Sequence, residues 1–169
     1  MAERSFKKEV QQLRAGAGAE FKGEGILAVT KALLQSGVNY VAGYQGAPIS
    51  HLIDVLSDAA ETMDDVGIRF EMSANEATAA ATLAASVNYP LRGAATFKGP
   101  VGTNVASDAL ANLSSSGVLG GALVIVGEDY EGSSIMQERS HAFAMKSQIR
   151  GEWYGRHRCA GFYCCMASL

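Results

Sequence analysis

Apolar and polar positions follow two different periods along this chain, and the periods alternate in a regular order. From Gly23 onward apolar residues recur three and four positions apart, which is typical of a helix with one buried face, and Gly37 stands where that helix ends. The stretch 38–44 is rich in β-branched and aromatic residues and predicts a strand. The two patterns then repeat, with one helix capped by Ser50, further helices spanning 75–88 and 103–115, and strands at 68–72, 93–99 and 122–129.

The order of these elements predicts an α/β fold. The run ALVIVGED (122–129) is apolar at nearly every position, as in a strand buried in the middle of a parallel sheet. Strands that alternate with helices indicate βαβ units, whose right-handed crossovers give a doubly wound, mainly parallel sheet with helices on both faces. A ligand of such a sheet binds outside the carboxyl ends of its strands. Those ends are 43–48, 72–76, 98–104 and 127–134.

The two ends of the chain depart from this pattern. Residues 1–20 are charged and then Gly/Ala-rich, and we expect a flexible N-terminal segment before a domain that spans 21–149. Residues 150–169 hold the single Trp and all three cysteines without a clear period, so we interpret them as an atypical tail, frame-shifted or vector-derived. Cys159, Cys164 and Cys165 fit free thiols better than a disulfide framework or a metal-binding motif.

Composition narrows the class of protein. The 169 residues are 48% hydrophobic and 18% charged, as in a globular domain. A net charge of −3 with no basic stripe argues against nucleic-acid binding. No apolar run has the length of a membrane span, and the charged N-terminus lacks the core of a signal peptide, so we expect a soluble cytoplasmic protein that does not associate with a membrane.

Glu76 is the most informative candidate for chemistry. It opens an Ala-rich helical run that carries no other charge until Arg92. One interpretation is an acid that reaches into a cofactor pocket. The other is a residue that only complements the N-terminus of its helix, with Asn75 or Ser73 as the cap.

Two glycine-containing turns follow strands. In GYQGAP, Gly46 permits a close backbone approach and Pro48 stiffens the turn, although an ordinary strand-to-helix turn has the same composition. In FKGPVGTN, Lys98 and the backbone amides after it could hold an anion, or the lysine could be solvated. This second turn lacks the ending of a P-loop.

The remaining polar candidates are weaker. Glu128 and Asp129 follow the central strand, but no third ligand has a fixed spacing, so we predict no metal site. His51 and His141 suit helix-end surface positions, and Asp108 suits a structural or subunit contact.

The ordered motifs resemble a known family. The stretches GEGILAVTKALLQSGVNYVAGYQGAPISHLID, FEMSANEATAAATLAAS, FKGPVGTNVASDAL and GGALVIVGEDYEGSS resemble the thiamine-pyrimidine-binding domain of the 2-oxoacid:ferredoxin oxidoreductases, most closely the indolepyruvate ferredoxin oxidoreductase branch. The resemblance covers about Gly23 to Gln148. It implies the thiamine diphosphate-binding fold and oxidative decarboxylation of a 2-oxoacid, such as indolepyruvate, to an acyl-CoA.

The resemblance also implies roles for individual residues. Glu76 would be catalytic, through a hydrogen bond to the cofactor's pyrimidine ring. The implied cofactor-binding residues are Gly46, Pro48, Glu76, Lys98, Gly102 and Asn104. The family pattern Y-P-x-T-P is broken here, since Gln45 and Ala47 replace its first proline and its threonine. The substrate is therefore open.

The GDG…N motif that holds the diphosphate and Mg²⁺ in such enzymes does not occur in this sequence, nor does a cysteine set for an iron–sulfur cluster. We therefore expect a partner diphosphate-binding domain or subunit, and a chain that is inactive alone. The complete enzyme would use iron–sulfur clusters, coenzyme A and ferredoxin, and a homo-oligomer is implied. The alternatives are a non-oxidative 2-oxoacid decarboxylase, a Rossmann-like binding module without chemistry, and a truncated, non-functional product.

Overall fold

The computed structural model describes residues 4–128, 150–154 and 163–168, the last two ranges as backbone only. A 3-10 helix, Glu9–Arg14, comes first. The α-helices are α1 (Gly25–Gln35), α2 (Ser50–Asp58), α3 (Ala60–Asp65), α4 (Glu76–Thr82), α5 (Ala85–Asn88), α6 (Val101–Val105) and α7 (Ser107–Ser116). The strands are β1 (Tyr40–Gly43), β2 (Arg69–Met72), β3 (Arg92–Lys98), β4 (Gly121–Glu128), β5 (Arg150–Tyr154) and β6 (Tyr163–Ser168).

The strands form one sheet in the order β2-β1-β3-β4-β6-β5. The first four are parallel to one another, which confirms the α/β class and the parallel sheet. The apolar strand β4 lies inside the sheet, as predicted, but only β3 beside it is parallel. Its other neighbour, β6, is antiparallel and comes from the tail, where the sequence had no period to reveal a strand.

One face of the sheet is covered by large aliphatic side chains. Leu27 of α1, Leu52 and Leu56 of α2 and Met63 of α3 are buried against the strand residues Val41 and Ile125. We call this the aliphatic face. The helices α1 and α2 show the apolar spacing from which they were predicted, because each buries one apolar stripe in this core.

The opposite face is packed mainly with small side chains. The buried alanines on it come from strands and helices alike: Ala42, Ala79, Ala80, Ala95, Ala106 and Ala122. Phe97, Leu83 and Leu110 are its largest fully or nearly fully buried members. We call this the alanine face, and α4 and α7 cover it.

Part of the N-terminal segment that we expected to be flexible is packed, whereas residues 16–20 are exposed. Phe6 is fully buried, and Leu13 in the 3-10 helix is buried with it in the core of the aliphatic face. The Phe6 backbone N–H donates to Asp58 Oδ2 at 2.6 Å, and Lys31 Nζ donates to the Leu13 carbonyl at 3.0 Å. Five of the first nine residues are charged, and they hid the pattern of the apolar residues spaced among and after them. The limits of the domain at 21 and 149 stay a prediction.

Two predicted helices are each divided in two. The helix expected over 75–88 breaks between α4 and α5, where Thr82 Oγ1 donates back to the Ala79 carbonyl at 2.7 Å. The helix expected over 103–115 begins earlier, at Val101, and breaks at Ala106. Ser50 does not cap α2, because it is the first helical residue and no side chain caps that end.

Candidate active site

The carboxyl ends of β1, β2, β3 and β4 meet at one edge of the sheet, because these strands are parallel and adjacent. The last residues of the four strands are Gly43, Met72, Lys98 and Glu128. All the predicted site residues follow or end these strands. In an open α/β sheet this is the edge at which ligands bind.

Glu76 is the first residue of α4, and its side chain is buried, with 8% of the residue exposed. The cap of this helix is Asn75, whose Oδ1 accepts from the Thr78 backbone N–H at 2.8 Å and from Thr78 Oγ1 at 2.7 Å. Asn75, and not Ser73, therefore supplies the cap. Since the helix end already has a capping side chain, the burial of Glu76 is not required for capping.

Gly102 lies against the stem of Glu76. A Cβ atom placed on Gly102 would stand 3.0 Å from Glu76 Cγ and 2.7 Å from Phe97 Cδ2. Only a residue without a side chain fits between these two groups. The structure therefore brings two predicted site residues, Glu76 and Gly102, into contact on the alanine face.

Gly46 and Lys98 form a second contact. A Cβ atom on Gly46 would lie 2.9 Å from Lys98 Cβ and 3.5 Å from its Cδ, so the turn runs along the lysine stem. The Gly46 carbonyl accepts from the Ile49 N–H at 2.9 Å, which closes the turn around Pro48. The Ala47–Pro48 peptide is cis, and Pro48 Cγ lies 3.2 Å from the Cβ position of Gly127.

The two contacts flank the end of β3 on opposite sides. Successive strand side chains point to opposite faces, so Phe97 belongs to the alanine face and Lys98 to the aliphatic face. The carboxylate of Glu76 and the ammonium of Lys98 thus come from the two sides of a single strand end.

Asn104 and Asp108 contact their own helices. Asn104 is exposed and its Nδ2 donates to the Pro100 carbonyl at 3.1 Å. Asp108 is exposed and its Oδ2 accepts from Asn112 Nδ2 at 3.2 Å. The structure thus joins neither side chain to Glu76 by a hydrogen bond.

The histidines and acidic residues are placed as follows. His51 is more than half exposed, and its Nδ1 lies 3.2 Å from Asp54 Oδ2. Glu128 is fully buried at the end of β4. His141, Asp129 and the rest of the acidic turn lie outside the described residues, as do the side chains of the three cysteines. Among the residues that the structure describes, no group of three or more His, Cys, Asp or Glu could hold a metal ion.

The sequence did not single out Phe97 or the full burial of Glu128. Phe97 is one apolar residue in an apolar strand, so nothing local distinguishes it. Glu128 had a visible signal, because it is an acid directly after a strand of apolar residues.

No helix in the described part of the chain combines the length and the apolar character needed to cross a membrane. No protein-family model matches the chain.

Individual relatives do match. Over 117 residues the chain is 37% identical to the indolepyruvate oxidoreductase subunit IorA of Methanothermobacter marburgensis, an alignment that covers 69% of this chain and 18% of that protein. It is 36% identical over 102 residues to the IorA subunit of Methanothermobacter thermautotrophicus, covering 60% of this chain and 16% of that protein. For Archaeoglobus fulgidus IorA the identity is 29% over 130 residues, covering 76% and 19%. The chain thus spans less than a fifth of the length of these curated relatives.

One solved structure, an rRNA methylase from Streptococcus thermophilus, aligns with 99% of this chain and 97% of its own. Its TM-score is 0.38 at 9% identity, a level of likeness from which neither fold nor function follows.

Proposed function

Because the chain belongs to the indolepyruvate oxidoreductase-related family of 2-oxoacid oxidoreductases, we propose that it forms the pyrimidine-binding part of a thiamine diphosphate-dependent enzyme. That enzyme would oxidatively decarboxylate an indolepyruvate-like 2-oxoacid to an acyl-CoA and transfer the electrons to ferredoxin. The proposal rests on the resemblance of the motifs and on one structural observation, the burial of Glu76 at the carboxyl edge of the sheet.

The residues present fit the pyrimidine end of this cofactor. A buried carboxylate is costly unless a partner compensates it, and a ring nitrogen that shares a proton with the carboxylate is such a partner. Gly102, which has no side chain, approaches Glu76 so closely that the stem has a defined position. When bound, thiamine diphosphate supplies the carbanion that attacks the keto carbon of the substrate.

The chain's own residues have separate tasks in this proposal. Glu76 holds or releases a proton at its carboxylate oxygen, against the pyrimidine ring nitrogen. Gly46, Pro48 and Lys98 shape the other side of the β3 end, where the lysine ammonium favours an anionic group. Gly102 and Asn104 belong to α6, which closes the site beside Glu76.

We place the diphosphate and its Mg²⁺ on another domain or subunit, which would leave this chain inactive by itself. This proposal is supported by the sequence, which carries no GDG…N motif. It is also compatible with the relatives, whose length is more than five times the matched segment.

The variant Glu76→Gln tests the role of the acid in the assembled enzyme. It keeps the shape of the side chain and removes its ability to exchange a proton, so we expect turnover to fall by about 10²–10⁴-fold. The matched control is Glu71→Gln, an exposed acid five residues earlier, which should leave turnover unchanged. Unchanged melting temperatures in both variants would exclude unfolding as the cause. Wild-type turnover in Glu76→Gln would contradict the proposal.

The products of the same assay test the reaction type. An acyl-CoA together with reduced ferredoxin supports the oxidative reaction. An aldehyde without reduced ferredoxin would assign the chain to a non-oxidative decarboxylase. Stabilisation of the protein by nucleotides, with none by thiamine diphosphate even beside the partner domain, would indicate a binding module without this chemistry.

A further inference from the structure

Gly102 is a glycine inside a helix, where alanine would ordinarily be better. Glycine loses more backbone freedom on folding than alanine does, so alanine is generally the better helical residue. It is the second residue of α6, is buried, and does not have a positive φ. The backbone conformation therefore does not demand a glycine here, and the reason must lie in what surrounds it.

The surroundings leave no room for a methyl group. A Cβ atom at position 102 would stand 2.7 Å from Phe97 Cδ2, 3.4 Å from Phe97 Cγ and 3.0 Å from Glu76 Cγ. Distances below 3.0 Å force a neighbour to move. The α-carbon of Gly102 thus fills the space between an aromatic ring and the stem of the acid.

The two neighbours differ in how easily they can move. Phe97 is fully buried among the packed side chains of the alanine face, where a shift of the ring would disturb several neighbours at once. The stem of Glu76 begins at the first residue of α4 and has rotatable bonds, so it is the group that would yield.

We infer that Phe97 and Gly102 are positioning residues that together set the rotamer of Glu76. The ring of Phe97 is held in place by its neighbours. Gly102 packs against this ring on one side and against the Glu76 stem on the other, and so limits the positions that the stem can take. Neither needs to touch the cofactor for this role. The inference rests on the proposed function of Glu76 and adds two residues that act through it.

The test uses the assembled enzyme with the variants Gly102→Ala, Phe97→Leu and the two combined. In Gly102→Ala the new methyl group should displace the Glu76 carboxylate, and a displacement of this kind lowers kcat by up to about 10²-fold. The KM for the 2-oxoacid should stay within about threefold, because the substrate contacts are unchanged. Phe97→Leu should lower kcat by roughly tenfold, because it loosens the stem.

The double variant is the decisive measurement. Leucine at 97 makes room for the methyl group at 102, so Phe97→Leu/Gly102→Ala should have a higher kcat than either single variant. A role limited to stability would change the unfolding free energy of the variants and leave kcat per folded enzyme the same in all three. If Gly102→Ala does not fold, comparison of the double variant with Phe97→Leu alone still tests the prediction. Gly16→Ala is the matched control, since Gly16 is exposed and has open space around its Cβ position.

The outcomes separate this inference from the proposed function. If Glu76→Gln abolishes turnover while Gly102→Ala does not lower it, the positioning role is wrong and the proposed function stands. If the double variant shows no recovery over both single variants, the positioning role is also wrong. Wild-type turnover in Glu76→Gln would remove the proposed function itself, whatever the other variants do.

Discussion

The two faces of the sheet are packed against their helices with side chains of different size. The aliphatic face fills the space under its helices with leucines, a methionine and the side chain of Phe6. The alanine face uses small residues, which allow helices to approach the strands closely. The candidate acid Glu76 and its neighbour Gly102 lie on the alanine face.

This difference assigns most of the stabilising apolar burial to the aliphatic face and the candidate site to the alanine face. Large side chains bury much apolar area and so contribute most of the hydrophobic stabilisation of the fold. Close packing of small residues buries less area per residue and holds short elements such as α4 and α6 in a defined position. The aliphatic face should therefore be sensitive to lost volume, and the alanine face to added volume.

The largest expected effect on stability is that of Phe6→Ala. If the buried ring belongs to the core, as the structure shows, its removal should cost about 3–5 kcal/mol of unfolding free energy. Urea unfolding of the 169-residue chain measures it. A loss below about 0.5 kcal/mol would mean that the N-terminal segment is flexible after all, because surface changes have effects of that size.

Added volume on the alanine face should have the next largest effect. Ala95 is fully buried in the middle of β3, and Ala95→Leu should cost about 1–3 kcal/mol through overpacking. The control is Ala28→Leu on the exposed side of α1, which should change the unfolding free energy by less than about 0.5 kcal/mol. Equal losses of unfolding free energy in the two variants would contradict the expectation that the alanine face is sensitive to added volume.

The cap of α4 should contribute a smaller amount. Asn75→Ala removes the oxygen that accepts from the Thr78 N–H and should cost about 1 kcal/mol. Asn75→Asp keeps that acceptor and should restore most of the loss. If alanine and aspartate behave alike in thermal unfolding, the cap does not stabilise this helix.

The smallest effect is expected at the exposed pair on β2. Arg69 and Glu71 are 73% and 60% exposed and lie 3.2 Å apart, so a double-mutant cycle should give a coupling of about 0.2–1 kcal/mol that weakens as salt is added. A coupling above this range that does not respond to salt would mean that β2 is more buried than the structure shows.

Much of the fold could be predicted because its signals are local. The apolar spacing of α1 and α2 and the uniformly apolar β4 each reflect one buried surface, and the structure confirms them. The breaks inside the helices predicted at 75–88 and 103–115 could not be predicted, since alanine-rich sequence suits a continuous helix equally well.

The candidate site was predictable in part for the same reason. Glu76, Gly46 and Lys98 could be singled out because they stand at or just after the ends of predicted strands, whereas Gly102 was named only through the family resemblance. The sequence did not predict that Glu76 would contact Gly102 or that Gly46 would contact Lys98. No feature of the sequence marked Phe97 as part of the site.

The sequence by itself determined the alternation of strands and helices, the parallel core of the sheet and the presence of a lone acid at the start of an Ala-rich helix. Only the tertiary structure decided that the N-terminal segment packs into the core, that two antiparallel strands extend the sheet, and that Phe97 and Gly102 lie against Glu76. The physical reason is the range of the interactions. Helix and strand periods arise between residues a few positions apart, whereas these contacts join residues distant in the chain and depend on how whole elements pack.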